Sequence, residues 1–238
     1  MIRPTINALD IPPWSDPTFL DIIEARNQGY DLLIVNLHTG KDTNTHAEDN
    51  LRTARVRGME TAAYFALSSQ SAQWHFNEAK KAAGKEWKYL RFVAIDVELP
   101  WVKTSEVEAA IKLVTDAGMR PVLYTGAWFW QYTWGNPTIA KDIPLWDADY
   151  DNNARFDRFR PYGGWTSRVA KQYNSKASDI GFLADANVVD AQWLLEFPVA
   201  EFRWPEDAEA LVYAATTGQM QPVNESVATG KRTFQFTI

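Results

Sequence analysis

Asp96 and Glu98 stand one residue apart at the end of the apolar run Phe92-Val93-Ala94-Ile95, and Pro100 closes the stretch. The run reads as a buried strand, and side chains at positions i and i+2 of a strand face the same way. The two carboxylates therefore share a face. Two acids at the mouth of a buried strand repel each other and are partly desolvated, so their pKa values separate, one protonated and one ionised near neutral pH. A pair of this kind is equipped to cleave a glycosidic bond. Zero cysteines exclude thiolate ligands, and the three histidines, His38, His46 and His75, are scattered, so neither a metal nor another cofactor is expected in the chemistry.

Strands alternating with helices would carry this pair. Thr5 to Asp10 is a first apolar run, followed by helical spacing from Pro17 to Gln28 that stops at Gly29. The unit then repeats: strand Asp31 to Leu37, helix His46 to Arg57; strand Met59 to Leu67, helix Ala72 to Ala83; strand Phe92 to Val97, helix Thr104 to Ala117; strand Arg120 to Thr125. Three further short runs, Ile143 to Trp146, Val169 to Tyr173 and Leu183 to Val189, have weaker helices between them. Eight runs in this order predict an α/β fold, a TIM-like (β/α) barrel with a parallel sheet and with irregular or missing helices in the second half. A doubly wound open sheet is the alternative. In a barrel, the site lies at the carboxyl ends of the strands, which is where Asp10, Asp96, Glu98 and Asp185 are expected to converge.

Residues 1–197 account for this barrel, and 198–238 form a C-terminal extension too short for an independent domain of normal size. The extension is a candidate contact for a protein partner. The hydrophobic fraction of 46% and the charged fraction of 23% are those of an ordinary globular protein. With a net charge of -6 and dispersed cations, neither nucleic acid nor an anionic membrane surface is an expected partner. The start, Met1-Ile2-Arg3-Pro4-Thr5, lacks the apolar core of a signal peptide, so no Sec export is expected. Tryptophan occurs 11 times, and Trp128, Phe129, Trp130, Tyr132 and Trp134 crowd into one segment. Flat apolar faces with a polar edge suit sugar rings, so part of this group is a candidate lining for a glycan cleft, with core packing as the alternative.

The order of motifs resembles the family 25 glycoside hydrolases, lysozymes that cleave peptidoglycan between N-acetylmuramic acid and N-acetylglucosamine. The resemblance covers about residues 5–195. Leu9-Asp10-Ile11-Pro12-Pro13-Trp14 matches an opening strand that ends in aspartate and is followed closely by an aromatic. Gly29-Tyr30-Asp31-Leu32-Leu33-Ile34-Val35 leads into the second strand, with Gly40 after it, and Gly58-Met59-Glu60-Thr61-Ala62-Ala63-Tyr64-Phe65 gives a third strand ending in an aromatic pair. Asp96-Val97-Glu98 is the most specific element. Pro121-Val122-Leu123-Tyr124-Thr125, Pro144-Leu145-Trp146-Asp147-Ala148-Asp149-Tyr150, Ala170-Lys171-Gln172-Tyr173 and Asp185-Ala186-Asn187 follow in the family's order.

The resemblance implies roles. Glu98 would be the general acid, and Asp96 would stay ionised to stabilise an oxocarbenium-like centre or to orient the substrate's N-acetyl group in a retaining reaction. Asp10 and Asp185 would hold substrate and tune the charge. Tyr64, Tyr124, Trp146, Gln172 and Asn187 become candidate sugar contacts. Two departures bear on the substrate: Asn36-Leu37-His38-Thr39-Gly40 lacks the lysine and glutamate that many members carry there, and Pro12 replaces a common serine. The leading expectation is a peptidoglycan muramidase, set as a phage lysin released through a holin or carried on a virion. The alternatives are a noncatalytic glycan-binding or structural barrel, for example a virion component, and a barrel glycosidase acting on another polysaccharide.

Overall fold

A computed structural model describes residues 4–156, 158–177 and 180–196. Eight strands close a barrel in sequence order: β1 (Thr5–Ile11), β2 (Tyr30–His38), β3 (Glu60–Ala66), β4 (Val93–Asp96), β5 (Pro121–Thr125), β6 (Leu145–Ala148), β7 (Ala170–Asn174) and β8 (Asp185–Asp190). Between and after them lie α1 (Phe19–Asn27), α2 (Ala47–Val56), α3 (Ala72–Ala83), α4 (Thr104–Asp116), α5 (Ala127–Tyr132) and α6 (Ala191–Glu196), with a 3-10 helix over Gly84–Tyr89. The expected C-terminal extension, and any partner contact on it, lie outside the described residues.

The helix boundaries follow local chemistry. Thr18 caps α1 by accepting from the Asp21 backbone N–H, while the Asp21 carboxylate accepts from the Thr18 N–H at 2.8 Å. The chain leaves α2 through Gly58 at φ 75°, a conformation that costs a side-chain-bearing residue energy.

Pairing is parallel from β1 through β7, but β8 runs antiparallel to both β7 and β1. An all-parallel sheet was the expectation, and the linker explains the difference. The described residues among 175–184 contain no helix, and a parallel crossover needs a dozen or more residues to return the chain to the opposite rim. The chain therefore turns back from the rim at which β7 ends. β6 also begins at Leu145 rather than Ile143. No helix lies between β6 and β7 among the described residues, which fits the weak helical pattern there.

Two buried clusters flank the strands. Leu33, Val35, Phe65, Ile95 and Leu123 face the helices, whereas Leu32, Ile34, Ala62, Ala94, Val122 and Trp146 fill the lumen. Burial on both faces is why these strands read as continuous apolar runs. The period of two then fixes which polar residues look inward. Ala8 faces the lumen, so Asp10 does; the same parity turns Tyr64, Asp96, Tyr124, Trp146, Gln172 and Asn187 inward.

Candidate active site

A cleft of about 380 Å³ opens at the carboxyl end of the parallel strands, lined among others by Asp10, Tyr64, Asp96, Glu98, Tyr124 and Asp185. The expected four acids are together. Asp185 arrives by an unforeseen route: it opens β8 rather than ending a strand, and the antiparallel direction of β8 brings that opening to the catalytic rim.

Gln172 organises one half of the site. Its Nε2 donates to Asp10 Oδ2 at 2.7 Å and to Asp185 Oδ2 at 3.1 Å. Its Oε1 accepts from the Tyr124 hydroxyl at 2.7 Å and from the Tyr150 hydroxyl at 2.5 Å. Two donors and two acceptor contacts leave the amide one orientation. Asn187, opposite Gln172 in the β7–β8 pair, repeats the arrangement: Nδ2 donates to Asp10 Oδ2 at 2.7 Å, and Oδ1 accepts from Trp146 Nε1 at 2.9 Å. Tyr64 and Tyr124 both meet the Trp146 ring edge-on. Gln172, Asn187 and Trp146 thus have protein partners that hold the acids in place, and Trp146 is 1% exposed.

Electrostatics divide the acids. Burial, then the charge of Asp185, raises Asp10 to about 8, against the lowering pull of Asn187 and Gln172. Burial raises Asp185 to about 6. Asp96 is raised well above the usual carboxylate range by burial, then by Glu98 and Asp10, and burial raises Glu98 as well. No donor among the described residues reaches the Asp96 carboxyl to offset these effects. Ionised Asp96 was the expectation. In the unliganded site its half-buried setting beside two other acids favours the protonated form instead.

The region of the two departures is neutral. Asn36 faces the lumen beside Tyr64. His38 is fully buried and its Nε2 lies 3.1 Å from His75 Nδ1, while His75 Nε2 accepts from the Ser68 N–H at 3.1 Å. That acceptor role puts the single proton of a neutral His75 on Nδ1, facing His38. Burial, then His38, lowers His75 to about 4, and burial lowers His38.

Several lining residues went unselected in the sequence. Trp14, 73% exposed, and Tyr150 both border the cleft, and each belongs to a recognised motif without having been singled out. Leu183 was read as the start of the last apolar run and lies instead on the β7–β8 linker, where Lys176 carried no signal at all. The five crowded aromatics around α5 do not line this cleft. Phe129 and Trp130 are core residues, and Trp130 Nε1 donates to the Pro137 carbonyl at 2.8 Å. Among the described residues, no group of three or more His, Cys, Asp or Glu is arranged to hold a metal ion.

Comparison with known proteins agrees with this geometry. The sequence model of the family described as Glycosyl hydrolases family 25 matches residues 14–182. The probable GH family 25 lysozyme 3 of Dictyostelium discoideum is 27% identical over 193 residues, 76% of this chain and 40% of that protein. Lysozyme 2 of the same organism is 33% identical over 101 residues, 40% of this chain and 48% of that protein. The chain spans less than half the length of these two relatives. Among solved structures, a family GH25 lysozyme from Aspergillus fumigatus superposes with a TM-score of 0.69 at 15% identity, covering 83% of this chain and all (100%) of that one. The muramidase from Acremonium alcalophilum gives 0.66 at 20% identity, covering 79% and 96%. At such identities the structural likeness speaks for the fold.

Proposed function

The chain belongs to glycosyl hydrolase family 25, and from that premise we propose that it is an N-acetylmuramidase cleaving the β-1,4 bond between N-acetylmuramic acid and N-acetylglucosamine in peptidoglycan. The observation that carries the reading is the placement of Asp96 and Glu98 in one cleft with the bridged pair Asp10 and Asp185.

In this reading the Glu98 carboxyl, its pKa raised by burial, gives its proton to the glycosidic oxygen as the C1–O bond breaks. The substrate's own acetamido oxygen bonds to C1, and the leaving sugar departs as an alcohol. Water then attacks C1, Glu98 takes back a proton, and the C1–O bond to the acetamido group opens, so the configuration is retained. Asp96 faces the developing positive charge. A carboxyl that is costly to ionise in the empty site releases its proton to solvent more easily once a cation develops beside it, and the carboxylate so formed stabilises the transition state most. Asp10 and Asp185, fixed through Gln172, hold substrate and tune the charge of the cleft. We place the activity in a phage-type wall lysin, a setting tested by adding the protein to intact bacteria and following lysis.

Cell walls incubated with the wild-type protein should release new reducing ends, and Glu98→Gln should lower that rate by about 10²-fold to 10⁴-fold. Equal release from both proteins would remove Glu98 from the proton donor's role. No release from walls of several chemotypes would favour a noncatalytic glycan-binding barrel.

A further inference from the structure

The aromatic segment after β5 takes no part in the four-acid cleft, yet two tryptophans of the catalytic rim remain open to solvent. Trp101 is 60% exposed on the loop after β4, and Trp128 is 54% exposed at the start of α5. They are braced from beneath. Val102, next to Trp101, is buried and its carbonyl accepts from Trp134 Nε1 at 3.0 Å. The Trp134 ring stacks on Phe129 with centroids 6.2 Å apart and planes at 25°, and Phe129 meets Trp128 edge-on at 5.8 Å. One aromatic stack therefore ties the β4 loop to α5 and leaves an indole showing at each end.

The position of Trp128 is also fixed from the barrel side. A Cβ on Gly126 would stand 2.6 Å from Trp128 Nε1, 2.7 Å from its Cδ1 and 3.1 Å from the Ala148 carbonyl, so the indole lies over the ends of β5 and β6. Tyr124, two residues before Gly126, and Tyr150, two after Ala148, both line the cleft. Trp101 stands three residues beyond Glu98. Both indoles thus stand on segments that leave β4 and β5 beside cleft-lining residues, on the side that carries Glu98. Rigid aromatic faces with few torsions to freeze, adjoining a polar cleft, suit the apolar C–H faces of sugar rings.

We propose that Trp101 and Trp128 form a sugar-binding platform on the β4–β5 side of the cleft, holding N-acetylhexosamine residues of a β-linked strand beyond those at the four acids. The platform rests on the glycosidase reading and extends it to the length of strand that the protein prefers. Gly126 serves it by leaving room for the Trp128 indole.

The test compares strand lengths in a Glu98→Gln parent, which prevents turnover. Peptide-free peptidoglycan hexasaccharide and disaccharide are titrated by nuclear magnetic resonance, which reads millimolar binding, against the parent and the added changes Trp101→Ala, Trp128→Ala and Gly126→Ala. Each addition should reduce the ratio of hexasaccharide to disaccharide affinity about tenfold while leaving disaccharide binding within about twofold. Gly126→Ala should behave as Trp128→Ala does, because its methyl group displaces the indole. A ratio unchanged in all three overturns the platform and leaves the two indoles facing some other partner. Equal weakening of both lengths also overturns it, as general damage to the cleft. If the parent binds neither length, the glycosidase reading falls and takes the platform with it.

Discussion

Gln172 shows how a single amide can decide the state of an active site. It bonds Asp10 and Asp185 at once, and its oxygen is occupied by two tyrosines, so it stabilises charge on two acids that burial drives toward neutrality. Burial wins. Asp10 moves from an ordinary 3.8 to about 8 and Asp185 to about 6. The folded state keeps protons that the unfolded chain releases, so the contribution of these two acids to stability is fully present below about pH 4 and is lost as pH rises toward 8. Asp10→Asn retains an oxygen to accept from Gln172 and Asn187 but carries no proton to lose. Its melting temperature should vary less with pH than the wild type's and should exceed it at pH 8, by the equivalent of about 1 kcal/mol or more. Thermal melts across that range check this, and parallel curves would contradict it. The acids were legible in the sequence because strand parity alone turns Asp10, Asp96 and Asp185 inward. The bridge was not, since Gln172 and Asp10 are 162 residues apart and no local pattern joins them.

The connection from β6 to β7 has ion pairs where the first half of the barrel has helices. Arg168, 2% exposed, donates to Asp147 at 2.7 Å and to Asp149 at 2.8 Å, and fully buried Lys171 donates to Asp151 at 2.5 Å and to the Asn153 carbonyl at 2.9 Å. Asp147 faces away from the lumen and also accepts from the Tyr162 hydroxyl. Removing one partner of such a network strands the other in a low-dielectric setting. Arg168→Met should therefore destabilise the protein by about 3–5 kcal/mol, measured by denaturant unfolding; a loss below about 1 kcal/mol would show that the network contributes little. The irregularity of this stretch was visible as an absence of helical period. Its replacement was invisible, because scattered Asp, Arg and Lys read equally well as surface residues. The β2 end is a similar case: the missing charged pair could be seen in Asn36 to Thr39, but the neutral His38–His75 contact depends on α3 folding across it.

At the scale of the whole molecule, the eight runs and their order were legible because every strand is buried on both faces. Direction was not read correctly for β8, although the evidence lay in the ten residues from Ser175 to Ala184, too few for a crossover. The consequence extends to the order in which the protein is made. Asn187 bonds Asp10 across 177 positions and β8 pairs with β1, so β1 waits for β8 before the lumen is sealed. Loop closure over such a span is entropically late, whereas the helices and neighbouring parallel pairs form from nearer contacts. In refolding experiments the far-ultraviolet circular dichroism signal should return before cell-wall hydrolysis does. Simultaneous recovery would show that closure is early. A chain still on the ribosome would carry Asp96 and Glu98 in a nearly finished wall, yet lack Asp185 and the closed lumen until β8 emerged, so the same strand that closes the barrel would also time the onset of the proposed activity.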